Sequence, residues 1–380
     1  MKILIAVRRL DKGGAEMLEC RLAHELTKLG HECYIATQYN KELFSGLDQS
    51  RKWKDLGVKD VFFLNGNGLF APLKMVLNFI NIIHKNKIKI VISSNSGIDM
   101  AAITASRFVD FKLIVAFHSY INPVILNSFR IKLWKHLIAR AHAFYSITSY
   151  VKSNIEYYIK SIRKHQHLVV YNSIELKTEK SNIDVKTSFS LPANTKLIMM
   201  CGRIESRKGY DLAVRYLNNV LKLEEVHLVI IGEAYHGNAL EKGLQGFDLI
   251  FDNLIKQKGL SHKVHFLGFQ NHIIGILSQG DVFVHLARHE GFGLVLLEAI
   301  AAGLPIVASN VGGIPEVLKA TPYECCDLEN EDGIQEAVKK YLSWSNDEKQ
   351  MTIEKAKRVL SFYTDERRAK EIEQLLLSLN

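Results

Sequence analysis

The sequence predicts two doubly wound α/β domains, each a parallel sheet covered by helices. Three observations carry this. Short β-branched runs alternate with longer runs of helical apolar spacing; the pattern halts in a polar stretch at 176–194 and restarts near Leu197; and the strands keep their polar residues at their C-terminal ends. Strands buried on both faces read as unbroken apolar runs, as these do, rather than alternating. At 380 residues and 47% hydrophobic, the chain is long enough to hold two cores.

The elements follow in order. MKILIAV is a first strand, and a polar turn with Gly13 and Gly14 leads into AEMLECRLAHELTKLG, where Leu18, Leu22, Ala23 and Leu26 share a helical face. Gly30 is placed to end that helix, and HECYIATQ is the next strand. KIKIVISSNS and FKLIVAFHSY are later strands of the first half. In the second half, LIMMCGR is a strand ending in a Gly-Arg turn, DLAVRYLNNVLKL a helix and VHLVIIGE a strand. KVHFLGF, DVFVHLA, the helix LVLLEAIAAG and the strand PIVAS follow. The expected division is 1–175 for the first domain, 176–194 for the linker and 195–364 for the second domain. A last helix at about 365–380 is expected to pack back on the first domain. Ligands belong at the carboxyl ends of such strands.

Composition narrows the classes. A net charge of +9, from 49 basic and 40 acidic residues, favours anionic partners. Cys20, Cys33, Cys201, Cys325 and Cys326 form no C-x-x-C pair and no zinc spacing, which points to reduced thiols in the cytoplasm. No window approaches ~18 uninterrupted apolar residues, so no spanning helix is expected. A nicotinamide oxidoreductase lacks its G-x-G-x-x-G after a strand, and an esterase lacks G-x-S-x-G. The basic charge is dispersed, without the interleaved aromatics of a nucleic-acid binder.

The stretch RHEGFGLVLLEAIAAGLPIVAS, 288–309, sets two carboxylates in an apolar run. A buried carboxylate costs several kcal/mol unless it is paired. The turn of Gly291, Phe292 and Gly293 feeds a helix beginning near Leu294, whose N–H groups and dipole suit a diphosphate. Glu298, one turn in, can accept both hydroxyls of a ribose. The plainer alternative is that Glu290 caps the turn and Glu298 forms an internal salt bridge. Arg203 and Lys208 flank a loop after a buried strand, where they can neutralise a diphosphate leaving group; otherwise they are a solvated basic loop. Gly13 and Gly14 could be no more than a tight turn, and His118, ending FKLIVAFH, no more than a satisfied polar residue.

GGAE near the start, His118-Ser119 after a mid-domain strand, GRIESRKG at 202–209 and EGFGLVLLEAIAAGLPIVAS together resemble glycosyltransferase family 4, in this order and spacing and over nearly the whole chain. The resemblance implies a GT-B architecture, two facing Rossmann-like domains with an interdomain cleft, the first on the acceptor side and the second binding the donor. It implies a retaining enzyme that moves a hexose from a UDP- or GDP-sugar to a carbohydrate or lipid-linked saccharide, in bacterial surface polysaccharide or lipopolysaccharide synthesis. His118 and Glu290 then meet the transferred sugar, Arg203, Lys208, Gly13 and Gly14 approach the donor phosphates, Glu298 takes the ribose and Phe269 lies where the backbone meets the base. Two positions depart from the family pattern: Leu286-Ala287 replaces Pro-Ser, and GEAYHGNALEKG at 232–243 stands where GxGP is common. Glu316, in GGIPE, reads as structural. A phosphorylase-like enzyme of similar fold, or a nucleotide-binding protein without catalysis, is the alternative.

No cofactor is expected beyond the nucleotide sugar as donor substrate, and no metal, because the donor half has no D-x-D at a strand end. No nucleic-acid partner is expected. The segment SFRIKLWKHLIARAH, 128–142, gathers Lys132, Lys135, His136 and Arg140 on one arc, with Leu133, Trp134, Leu137, Ile138 and Ala141 on the other. Such a helix suits an anionic membrane surface, at the inner face of the cell membrane; a core-packed helix with a solvated basic face is the alternative.

Overall fold

A computed structural model describes residues 1–10, 14–38, 49–64, 70–94, 96–122, 129–176, 181–233 and 246–379. The chain divides into two units, 1–173 with 363–380, and 174–362.

In the first unit, among the described residues, seven strands form one parallel sheet: β1 (Lys2–Val7), β2 (Glu32–Thr37), β3 (Asp60–Phe63), β4 (Ile90–Ser93), β5 (Lys112–Phe117), β6 (Ala143–Ser146) and β7 (Gln166–Val169). Their order is β3-β2-β1-β4-β5-β6-β7, so the chain reverses its direction of winding between β1 and β4. Ile3 pairs with Cys33 on one side and Ile90 on the other. Parallel pairing requires crossovers, and the helical runs supply them. The helix Gly14–Lys28 turns Leu18, Leu22, Ala23 and Leu26 inward, as their spacing predicts. The helix Asp365–Leu377 lays Ile372, Leu375 and Leu376 into the same core. Each such side chain contributes about 1.5–3 kcal/mol by burial, which fixes a segment far away in sequence to the first unit.

The second unit repeats the plan with β8 (Lys196–Cys201), β9 (Val226–Ile231), β10 (Val264–Gly268), β11 (Val282–His285), β12 (Ile306–Ser309) and β13 (Cys325–Cys326). The order is β10-β9-β8-β11-β12-β13, all parallel, with the reversal between β8 and β11. In doubly wound sheets the loops at this reversal splay apart and leave a crevice at the carboxyl ends of the strands. Here those loops are 202–209 and 286–293, which carry the two strongest motifs of the sequence.

Three details differ from the sequence reading. The polar stretch, described from residue 181 on, is not wholly irregular: Asp184 caps a short helix, Val185–Ser188, whose Val185 is buried and donates its N–H to Gln279 at 2.8 Å. The expected helix after Gly209 breaks into Tyr210–Tyr216 and Asn218–Leu221. The basic segment is a helix over Phe129–Leu137 followed by a 3₁₀ turn, Ile138–Arg140. Trp134 and Ile138 are buried, and Trp134 Nε1 donates to Asp99 at 3.1 Å, while Leu133 is exposed beside Lys132 and Arg140. Leu133 lies at the edge of the apolar arc, so packing through Trp134 leaves it outside.

Candidate functional site

The loop after β8 begins with Gly202 and Arg203, passes through a 3₁₀ turn, Ser206–Lys208, and enters its helix through Gly209. The loop after β11 runs from Leu286 to Gly293 and enters the helix Leu294–Ala302. Arg288 binds these loops together. Arg288 grips Asp211 with both guanidinium arms, at 2.8 and 2.7 Å, and donates to the Ser206 carbonyl at 2.7 Å. The Arg288 N–H also donates to the Arg207 carbonyl at 2.8 Å. Gly209 makes the approach possible: a Cβ there would stand 1.8 Å from the Leu286 carbonyl oxygen.

This clamp delivers Lys208 to Glu290. Lys208 Nζ donates to Glu290 Oε2 at 2.6 Å, and His285 Nε2 lies 3.3 Å from the same oxygen. Burial by itself would raise the Glu290 carboxyl, but Lys208 and His285 outweigh it and hold the group well below the usual carboxylate range. Burial lowers His285 despite the opposing pull of Glu290, so the ring is neutral at pH 7 and its Nε2 must carry the proton facing the carboxylate. The backbone of Glu290 is fixed as well. Its carbonyl accepts from Gly313 N–H at 3.0 Å, and a Cβ on Gly312 would meet that oxygen at 2.0 Å. A carboxylate so thoroughly ionised accepts hydrogen bonds and does not donate a proton.

Arg203 and Lys208, paired in the sequence reading, occupy different environments. The Arg203 side chain is 54% exposed, with a nitrogen 3.9 Å from Glu205, whereas Lys208 is nearly buried against Glu290. Gly291, Phe292 and Gly293 are buried, and Gly293 adopts φ 88° immediately before Leu294 opens the helix. Glu298 is half-buried one turn along. Burial pushes the Cys201 thiol, at the end of β8, upward; the Glu298 carboxylate adds to this and Lys208 opposes it. The carboxylate of Glu298 and the ammonium of Lys208 are thus both felt at one strand end. Phe269 follows β10 and is 41% exposed, beside the Gly268 carbonyl that accepts from Gly232 N–H at 2.8 Å. Glu316 lies in the short helix Ile314–Leu318. Most of the stretch 232–243 lies outside the described residues.

In the first unit, Gly13 lies outside the described residues and Gly14 opens the helix Gly14–Lys28. His118 directly follows β5, and its side chain is 8% exposed. Nε2 stands 2.9 Å from Oε1 of Glu19, off the axis of a hydrogen bond, and neither ring nitrogen has a hydrogen-bond partner. Glu19 is fully buried, paired with Arg368 and hydrogen-bonded by Tyr145.

The residues missed from sequence are His285, Arg288 and Asp211 in the second unit and Glu19, Tyr145 and Arg368 in the first. Two of them carried a legible signal. Glu19 sits three, four and seven residues before Leu22, Ala23 and Leu26, on the apolar stripe of its helix, and Arg368 sits four and seven before Ile372 and Leu375 on its own. A carboxylate and a guanidinium each on a buried stripe call for one another. The rest depended on which loops meet.

The family model described as Glycosyl transferases group 1 matches residues 183–359, and that described as Glycosyltransferase Family 4 matches residues 12–178. A relative from Methanocaldococcus jannaschii, the uncharacterized glycosyltransferase MJ1607, is 34% identical over 160 residues, 40% of this chain and 38% of its own length. The O-antigen biosynthesis glycosyltransferase WclY of Escherichia coli is 26% identical over 210 residues, 53% of this chain and 55% of its own length. The chain therefore spans between about two-fifths and just over half of these curated relatives.

Among solved structures, Anabaena HepE in complex with UDP-glucose superposes with a TM-score of 0.79 at 17% identity, over 100% of both chains. Sucrose-phosphate synthase from Thermosynechococcus elongatus gives 0.80 at 16% identity, over 100% of this chain and 98% of that one. At such identities the likeness is one of fold: two parallel-sheet α/β domains, each Rossmann-like, as in GT-B proteins. Both halves are matched, in order and over most of the sequence, and the chain belongs to the family 4, group 1 glycosyltransferases.

Proposed function

We propose that this chain transfers a hexose, with retention of configuration, from a UDP- or GDP-sugar to a saccharide or lipid-linked acceptor. The observation that carries the reading is the join between the loops after β8 and β11, where Lys208, Glu290 and His285 meet beside the start of the helix Leu294–Ala302. The helix N-terminus and Arg203 offer positive charge to a departing diphosphate. Glu298 takes the ribose hydroxyls, and Glu290, ionised and held in place, accepts from hydroxyls of the transferred sugar. Gly291, Phe292, Gly293 and Leu294 line the diphosphate, and Phe269 lies near the base. On the family resemblance, His118 meets the same sugar, and the first unit receives the acceptor.

Retention without a second enzymic nucleophile favours internal return, in which the leaving diphosphate helps deprotonate the incoming acceptor hydroxyl on the same face. Orientation of the two substrates supplies much of the rate. The cationic groups already on hand make the reaction independent of divalent metal. WclY, named for O-antigen biosynthesis, and HepE, crystallised with UDP-glucose, support a glycan-building role on a nucleotide sugar, in surface polysaccharide or lipopolysaccharide synthesis. Among the described residues no helix is long and apolar enough to cross a membrane. A lipid-linked acceptor would be met at an anionic surface, through the basic face of the helix Phe129–Leu137.

The test is a thermal-shift panel of UDP, GDP, ADP and their sugars, followed by transfer of labelled sugar from the donor that stabilises. Ligand at about 100 times its Kd adds about 2.7 kcal/mol to the folded state. No stabilisation by any nucleotide would refute the reading. Sugar phosphate released from an oligosaccharide by inorganic phosphate, with no use of nucleotide sugar, would replace it with phosphorolysis.

A further inference from the structure

In the first unit Glu19, Arg368 and Tyr145 form a buried cluster to which the donor chemistry assigns no role. Glu19 has no exposed side-chain surface, and Arg368 is 1% exposed. The Arg368 guanidinium pairs with Glu19 and donates to the Leu18 carbonyl at 3.0 Å, and Tyr145 Oη lies 2.8 Å from both Glu19 oxygens. Replacing a buried ion pair by apolar groups of similar volume is often neutral or stabilising, so stability alone gives this cluster no purpose. Its fourth member is His118, whose Nε2 is 2.9 Å from Glu19 and whose two nitrogens are buried without hydrogen-bond partners. The Tyr145 ring meets the imidazole edge-on, with centroids 6.5 Å apart.

We propose that Arg368 and Tyr145 act through Glu19 as positioning residues for His118, which makes the C-terminal helix part of the histidine's working environment. The chemistry follows from the distances. A bare imidazole nitrogen, itself electron-rich, 2.9 Å from an ionised carboxylate oxygen would set like charge against like charge, so Nε2 carries a proton. Nδ1 is then the ring atom left as an acceptor. Glu19 has to stay ionised to impose this. Burial opposes ionisation, but Arg368 first, then His118 and Tyr145, bring its pKa down to about 2. β5 sets the histidine at a strand end where ligands of such sheets gather, and a helix some 250 residues later in the chain holds its orienting carboxylate. The catalytic consequence rests on the reading that His118 meets the transferred sugar; the state of the ring does not.

The experiment records imidazole nitrogen spectra of ¹⁵N-histidine-labelled protein at about pH 8, above the ordinary histidine range, with His118→Asn to assign the ring. The expected result is a protonated Nε2 on His118. An Nδ1–H tautomer with bare Nε2 in the wild type overturns the proposal without any further variant. The triple variant Glu19→Met, Tyr145→Phe, Arg368→Met removes the polar set together and leaves no buried ion unpaired. In the folded triple variant the Nε2–H fraction should relax to the tautomer mixture of a free imidazole, and a ring held as completely in the Nε2–H form as in the wild type overturns the proposal. With a donor that the wild type turns over, kcat should fall by as much as ~100-fold, the cost of an ångström-scale misplacement, with donor KM little changed. Arg368→Lys should recover part of that loss, and an unchanged kcat in the folded triple variant counts against the proposal. A wild type that turns over no nucleotide sugar, yet shows the protonated Nε2, fails the functional reading alone.

Discussion

Replacing Lys208 by methionine tests the core of the candidate site before any substrate is known. The change keeps the length and apolar stem of the side chain and removes the ammonium that donates to Glu290 at 2.6 Å. Breaking a fully buried ion pair on one side costs about 3–5 kcal/mol, because the remaining charge is stranded. Here Lys208 and Glu290 retain 15% and 11% of their side-chain exposure, and His285 still offers an N–H. The expected loss is therefore smaller, about 2–3 kcal/mol, equivalent to roughly two units of Glu290 pKa.

The pH dependence gives this loss a signature. In the wild type the folded Glu290 pKa is depressed, so its stabilisation is present above the ordinary carboxylate range and is lost as pH falls through the folded value. Without Lys208 the folded pKa rises and the stabilisation that the ammonium gave is missing, a penalty carried as long as Glu290 is ionised. That penalty disappears as the carboxyl takes up a proton. Urea titrations at pH 7 and at about pH 3 should show the deficit of Lys208→Met shrinking toward acid. Adding Glu290→Gln should recover most of it at pH 7, since the pair is coupled. A deficit that is the same at both pH values, or one that Glu290→Gln does not relieve, would refute the account of Glu290 as an ionised, lysine-held carboxylate.

Four further outcomes are expected. Glu298→Ala should weaken UDP or GDP binding by isothermal titration about ten- to a hundredfold, the worth of one charge-assisted hydrogen bond at roughly 1.5–3 kcal/mol, with the fold intact; equal affinity would remove Glu298 from the ribose. Arg203→Ala, at a 54% exposed side chain, should leave stability intact and lower kcat more than donor affinity, because diphosphate charge peaks in the transition state; matched losses in both would deny it that role. Turnover should survive EDTA, and activity abolished by chelation and restored by Mg²⁺ or Mn²⁺ would establish a metal requirement. Replacing Lys132, Lys135 and Arg140 by glutamine should weaken sedimentation with vesicles of acidic phospholipid by about 3 kcal/mol, in a salt-dependent way, with turnover on a soluble acceptor little changed; binding indifferent to charge and salt would leave the helix as ordinary packing.

The sequence by itself determined the elements and the order of the motifs. Unbroken apolar strands such as IVIS at 90–93 and the helical stripe of Leu18, Leu22 and Leu26 are local patterns, set by which faces must leave water, and they stand where their spacing put them. The glycine turn ahead of Leu294 was legible for the same reason, since a helix start is written in the residues beside it. Tertiary structure decided who meets whom. Lys208 and Glu290 are 82 residues apart and touch because β8 and β11 are neighbours and Arg288 ties their loops together. Glu19 and Arg368 are 349 apart, and each looked like a polar residue misplaced on an apolar stripe until the C-terminal helix joined them. Periodicity reports only that a side chain is buried. The partner that makes a buried charge tolerable comes from another element, and so only the folded arrangement names it.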